Sequence, residues 1–273
     1  MKKLIARRMF ITPSRAFAIA FSFLISFSTN SQEPLDLKVG YFVYPPHVFY
    51  SAQEDKPYGP LITFLNQYVA EPMNAKIVWQ KMTNKRSERS ITDCKIDLFL
   101  LKGWSEDRAK RMRFPTHPFH IAVPSLLVDK DFPVNEIRGS EDLYDLVIGW
   151  TSGLPASAIK PFWNHPRIKL VLTPQVDFYR ANIGMFIRGR LTGVASSNRE
   201  SLVYMAKQMD ILDKVKIIPL PQESRRVFHA FSTCAEQPLN LYNQVISELL
   251  ERILDNQTLA EFYLQYLNDK MND

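Results

Sequence analysis

Apolar and polar positions alternate along residues 35–43 (LDLKVGYFV), which run into Tyr44-Pro45-Pro46. Alternation of period two that ends in prolines predicts a strand entering a rigid loop. Residues 58–70 carry Leu61, Phe64, Leu65, Tyr68 and Val69 at helical spacing, so a helix follows. Residues 75–80 (AKIVWQ) read as a second strand, the polar 84–95 as a helix, and the apolar 96–101 as a third, buried strand. The order β-α-β-α-β with short connections predicts a parallel sheet covered by helices.

Residues 119–128 (FHIAVPSLLV) form a long apolar run, and the charged, proline-containing 129–133 after it is where a crossing into a second unit is expected. Strands at 147–150, 169–172, 191–195 (ending in Ser196-Ser197-Asn198) and 215–219 alternate there with helices at 155–163, 176–188 and one that runs to about Met209. Residues 226–232 (RVFHAFS) read as a strand returning to the first unit. Two helices, 239–254 and 258–267, finish the chain, the first with an apolar stripe at Leu241, Val245, Ile246, Leu249 and Ile253. The expected organisation is α/β, with two Rossmann-like lobes: 32–127 with 223–273, and 128–222.

The third strand and its sequel (97–119, DLFLLKGWSEDRAKRMRFPTHPF) carry the candidate chemistry. The strand ends at Gly103 and Trp104. Ser105 then stands at an N-cap position with Glu106 and Asp107 in the first turn, which places Arg108 at a helix start. Open α/β sheets hold ligands at the carboxyl ends of their strands. A guanidinium there, beside free helix N–H groups, suits a carboxylate. The alternative is a solvated basic face, since Lys102, Lys110, Arg111 and Arg113 crowd the same stretch.

The net charge of +6 over 273 residues changes meaning once it is located. Residues 1–31 hold Lys2, Lys3, Arg7, Arg8 and Arg15 and no acid; without them 29 basic residues face 28 acidic ones, or +1. Basicity therefore gives no reason to expect a nucleic-acid partner. A cationic start, an apolar stretch over 16–27 and small polar residues after it have the parts of a cleaved secretory signal, and the apolar stretch is short of the roughly 20 residues that span a bilayer. Arg7-Arg8-Met9-Phe10-Ile11 also loosely matches a twin-arginine export pattern. In an oxidising compartment Cys94 and Cys234 form a disulfide or stay as two buried thiols. No metal-ligand spacing, GxSxG, P-loop or Rossmann glycine signature occurs, so no cofactor is expected.

Several short motifs then follow in one order: Tyr44-Pro45-Pro46-His47-Val48, Gly59 ahead of the first helix, Cys94-Lys95-Ile96-Asp97, Ser105 to Arg108, Arg113-Phe114-Pro115 and Pro118-Phe119. In the second half come Val147-Ile148-Gly149, Ser152-Gly153 and Gly189-Arg190. This series resembles family 3 of the bacterial periplasmic solute-binding proteins, of type II periplasmic-binding fold. The resemblance implies two lobes joined by a two-strand hinge that close on a small polar ligand, often an amino acid delivered to an ABC importer. By that resemblance Arg108 clamps a ligand carboxylate, Ser105 assists it, and Tyr44, Phe49 and Trp104 form aromatic walls. Gly103, Ser152, Gly153 and Ser197 complete the expected site.

The second half departs from the family pattern. Amino-acid binders place an acid where Ser197 stands here, between Ser196 and Asn198. A buried ammonium without a carboxylate is costly, so a carboxylate ligand lacking a compact ammonium is as consistent as an amino acid. Two other readings use the same scaffold. One is a periplasmic dehydratase-like enzyme, with His47, His117, His120 or Glu106 as acid–base candidates. The other is a ligand-sensing module for a membrane receptor. The expected protein is a non-catalytic, exported, periplasmic monomer whose partners are its ligand and an ABC permease or a receptor.

Overall fold

A computed structural model of the chain describes residues 33–151, 160, 164–174, 177–253 and 256–272. The expected export segment and the helix expected over 155–163 fall largely outside them, as do Ser152 and Gly153.

In the first sheet β1 (Leu35–Tyr41) pairs in parallel with β4 (Ala75–Lys81) on one side and with the central strand β5 (Leu98–Gly103) on the other. A small antiparallel hairpin, β2 (Phe49–Ser51) with β3 (Lys56–Tyr58), is inserted after β1. The pairing of β5 is extended antiparallel by β12 (Arg225–Phe231) and then β6 (His120–Ala122). The sheet is thus mixed, with β12 running against the other four strands where an all-parallel sheet was expected, because β12 re-enters from the far end of the chain.

Helix α1 (Pro60–Leu65) and the π-helical turn Asn66–Ala70 cover one face together with α6 (Glu236–Arg252) and α7 (Leu259–Asn272). Their buried Phe64, Leu65, Tyr242, Ile246 and Tyr263 pack with Leu37, Val39 and Leu98 of the sheet in one apolar core. Helix α2 (Asn84–Thr92) covers the opposite face and starts sharply because the Thr83 hydroxyl accepts from the Arg86 N–H at 3.2 Å.

The second sheet has the order β11-β7-β10-β8-β9: β7 is Ser125–Asp129, β8 Val147–Thr151, β9 Lys169–Thr173, β10 Gly193–Ser196 and β11 Val215–Pro219. Strands β10, β8 and β9 run parallel, while β7 lies antiparallel between β10 and β11. Helices α4 (Phe178–Ile187) and α5 (Arg199–Gln208) pack on it.

The apolar run 119–128 is two strands. Its first half joins the first sheet and Ser125 onward joins the second, so the chain changes sheet at Val123-Pro124, ahead of the charged break at 129–133. Proline has no N–H to give to a ladder, which ends β6 where the sequence pattern ran on. The return path passes the same place, with Leu220 N–H donating to Pro124 O at 2.8 Å. Cys94 and Cys234 are joined by a disulfide, their Cα atoms 5.9 Å apart.

Candidate functional site

The carboxyl end of β5 departs from regular strand geometry. Phe228 pairs with Lys102 and Ala230 with Phe99, so Leu100 and Leu101 together oppose the single residue His229. Leu101 has φ 56°, a left-handed value that costs a branched side chain energy. This is a β-bulge. In an unbroken strand residues 99 and 102 would face opposite ways. Here Lys102 Nζ lies 5.1 Å from the Phe99 ring, on the α2 side of the sheet.

Lys102 is 1% exposed and donates to Asn84 Oδ1 at 2.7 Å, to Asn84 O at 3.3 Å and to Glu88 Oε1 at 3.2 Å. Its three N–H bonds therefore have three acceptors on the first turns of α2. Burial lowers its pKa to about 8, helped by the nearby Arg108 and opposed by Glu88. On Glu88 burial acts upward, but Lys102 and Arg108 outweigh it and hold the carboxyl below its ordinary range.

Arg108 lies on the short helix α3 (Glu106–Ala109), whose N-cap is Ser105: its hydroxyl accepts from Arg108 N–H at 3.3 Å. The guanidinium donates to Glu88 Oε1 through Nε (3.1 Å) and Nη2 (2.8 Å), and to Gly103 O through Nη1 (2.9 Å). A Cβ placed on Gly103 would stand 3.4 Å from Nη2 of Arg225 and 3.7 Å from Nη1 of Arg108. Two guanidinium groups thus approach one strand end. Burial lowers the pKa of Arg225, and the Arg108 charge lowers it further.

These groups line a cavity of about 70 Å³ between the strand ends of the two sheets. Lys102, Gly103 and Arg108 form one side, Arg225 and His120 another; Tyr44 and Phe42 come from the β1 loop, and Ser197 and Asn198 from the end of β10. Its lining holds three basic side chains, Lys102, Arg108 and Arg225, and no carboxylate, although Glu88 behind the wall pairs with the first two. That combination selects an anion.

Asn198 ties the far wall to the first sheet. Its Nδ2 donates to His47 Nε2 at 3.0 Å, and its Oδ1 lies 3.3 Å from His120 Nε2. Ser201 donates to Pro45 O at 2.6 Å. Tyr44 is buried, which raises its pKa, while hydrogen bonding to Ser197 acts the other way.

Of the residues expected in the site, Arg108, Gly103, Tyr44 and Ser197 meet at this cavity. Ser105 acts from behind, by capping the helix that carries Arg108. Trp104 lines neither this cavity nor the larger one beside it: it is 42% exposed, with the Arg226 guanidinium 5.7 Å from its ring. Phe49 lines only the larger one. Sequence reasoning passed over Glu88, Asn84, Phe42 and Arg225, and named Lys102 only in the alternative of a solvated face. The one available signal was a lysine closing a buried apolar run.

With this geometry the chain aligns with solved structures over most of its length. An ancestral arginine-binding protein bound to arginine superposes with a TM-score of 0.67 at 19% identity, covering 87% of this chain and 99% of that one. The chain has the periplasmic-binding-protein fold. A histidine kinase sensor domain with similarity to periplasmic binding proteins gives 0.66 at 18% identity, over 87% and 96% of the two chains. The substrate-binding protein of an amino acid ABC transporter gives 0.64 at 17%, over 87% and 100%. No protein-family model and no curated protein sequence matches the chain. The expected resemblance thus holds at the level of fold. No helix among the described residues is long and apolar enough to cross a membrane.

Proposed function

We propose that this protein is an exported, non-catalytic solute-binding protein that captures a small carboxylate-bearing ligand between two lobes. We place the lobe boundary at Val123-Pro124, a few residues before the 127/128 expected from the sequence, with each lobe built on one of the two sheets and ligand closure about the paired segments at Pro124 and Leu220. One observation carries the reading: the cavity between the sheets is lined by Lys102, Arg108 and Arg225 and by no carboxylate. An amino acid's carboxylate would be welcome there, but its ammonium would face cations. The ligand is therefore an acid without a compact ammonium group. The solved amino-acid-binding structures of the same fold support ligand capture as the use of this cleft. Delivery to an ABC importer is the role we assign.

A thermal-shift screen of the protein lacking residues 1–31 tests this against carboxylic acids, their amides and amino acids. A ligand at ~100 times its dissociation constant adds about 2.7 kcal/mol of stability. Stabilisation by acids and not by the matching amides is expected; stabilisation by amino acids alone would reject the reading.

His120 gives a second reading some footing. It lines the cavity with Nε2 3.6 Å from Glu200 Oε2, and its Nδ1 has no hydrogen-bond partner among the described residues. An acid–base enzyme on this scaffold would use it, and turnover of a bound acid that is lost in His120→Gln would favour that alternative.

A further inference from the structure

A second, larger cavity of about 740 Å³ adjoins the cationic one, and Phe42 lines both. Ligand pockets are ordinarily ~300–1,000 Å³. The cationic cavity is far below that range and the second is well inside it. The first has room for a small acid's head group and the second for a larger body.

The second chamber is walled by aromatic rings from both halves of the molecule. Phe49 and Tyr58 of the β2–β3 hairpin stack with centroids 5.3 Å apart, and Phe49 meets Tyr204 of α5 at 5.7 Å. Phe178, at the start of α4, adds a further ring. Helix α2 serves both chambers, since Asn84 lines the cationic one while Thr83 and Arg86 line the aromatic one. Arg86 is exposed, and no side-chain partner holds its guanidinium among the described residues. Tyr58 is 50% exposed and Tyr204 half-buried, so both rings leave surface on which a flat ligand can stack. Arginine beside stacked rings favours an electron-rich aromatic system.

We propose that the ligand is an aromatic carboxylic acid, with its carboxylate at Arg108 and Arg225 and its ring system in the chamber of Phe49, Tyr58 and Tyr204. This rests on the carboxylate-binding reading above and adds the class of body that the carboxylate carries.

The test is calorimetric titration with three probes, acetate, 1-naphthaleneacetate and 1-naphthaleneacetamide. Naphthaleneacetate is expected to bind at least tenfold more tightly than acetate, and the amide at least tenfold more weakly than naphthaleneacetate. Tyr58→Ala and Tyr204→Ala should each weaken naphthaleneacetate severalfold and leave acetate unchanged. Tyr58 is the safer variant for folding, and the ligand-free unfolding midpoint of each variant checks the fold. Equal affinity for acetate and naphthaleneacetate would overturn the aromatic chamber and leave the carboxylate site standing. Equal affinity for acid and amide would overturn the carboxylate site and, with it, the two-chamber ligand. Binding of none of the three would overturn both.

Discussion

Glu88 Oε1 accepts from Arg108 at both Nε and Nη2, at 3.1 and 2.8 Å, so the Arg108 guanidinium is held in one orientation. A guanidinium has five N–H donors. Two point at Glu88 and one at Gly103 O, which leaves two for a carboxylate. Arg108→Ala should therefore weaken acid binding by ~100-fold or more, in the range found when one partner of a close charge pair is removed. The fold should survive, because Lys102 and Arg111 still neutralise Glu88. Calorimetry and an unfolding scan on the same sample check both halves; unchanged affinity would remove Arg108 from the site.

Lys102 gives the site a pH dependence. Its folded pKa is about 8, below the ordinary 10.5. A bound anion favours the protonated amine, so affinity is full below pH 8 and falls as pH rises through it. Folding responds with the opposite sign. Between 8 and 10.5 the unfolded chain holds the extra proton, so stability attributable to this group rises with pH. Dissociation constants measured from pH 6.5 to 9.5 should show a severalfold loss that is absent in Lys102→Met. A flat profile in the unmodified protein would exclude Lys102 as a ligand-facing charge.

Much of the fold was open to the sequence because its main strands and helices are local patterns: alternation at 35–43 became β1, and the stripe on 239–254 became α6. The sheet change at Pro124 was hidden inside one apolar run, since a strand buried in either sheet has the same composition. The site was legible in part. Arg108 followed from a cap and a strand end, which are local. Lys102 did not, because the bulge that turns it toward α2 is set by β12, more than a hundred residues away. Arg225 arrives on that same strand. Contacts between segments so distant leave no periodic trace.

Acid should loosen the molecule through two buried histidines. His229 is fully buried, which lowers its pKa to about 3, and neither ring nitrogen has a hydrogen-bond partner among the described residues. His47 is also held well below 6.5, by burial and by the neighbouring His120. Its Nε2 accepts from Asn198 Nδ2, so a proton there would set donor against donor across the two sheets. Both shifts are downward, hence the stability is present above about pH 6.5 and is lost as pH falls below it. From the value of about 3, His229 alone costs roughly 2 kcal/mol between pH 7 and pH 5. Denaturant unfolding at the two pH values should show at least that loss, and His229→Phe should reduce it; equal stability at both would contradict the burial of neutral imidazoles.

The disulfide encloses the chain from just before β5 to just after β12, a separation of 140 residues that includes the whole second sheet. In the chain-entropy account a loop of that length restrains the unfolded state by about 5 kcal/mol, and native bridges commonly contribute ~2–4. Neither cysteine lines the cationic or the aromatic cavity. The double variant Cys94→Ser with Cys234→Ser should consequently unfold at lower denaturant, by ~2–4 kcal/mol, while its affinity for acids stays within twofold of the unmodified protein. In the native protein both thiols should resist alkylation until a reductant is added. Labelling without reductant would show the bridge unformed; a bridge that forms but whose removal weakens ligand binding would mean that the covalent tie also sets the position of β5, and with it Lys102 and Gly103.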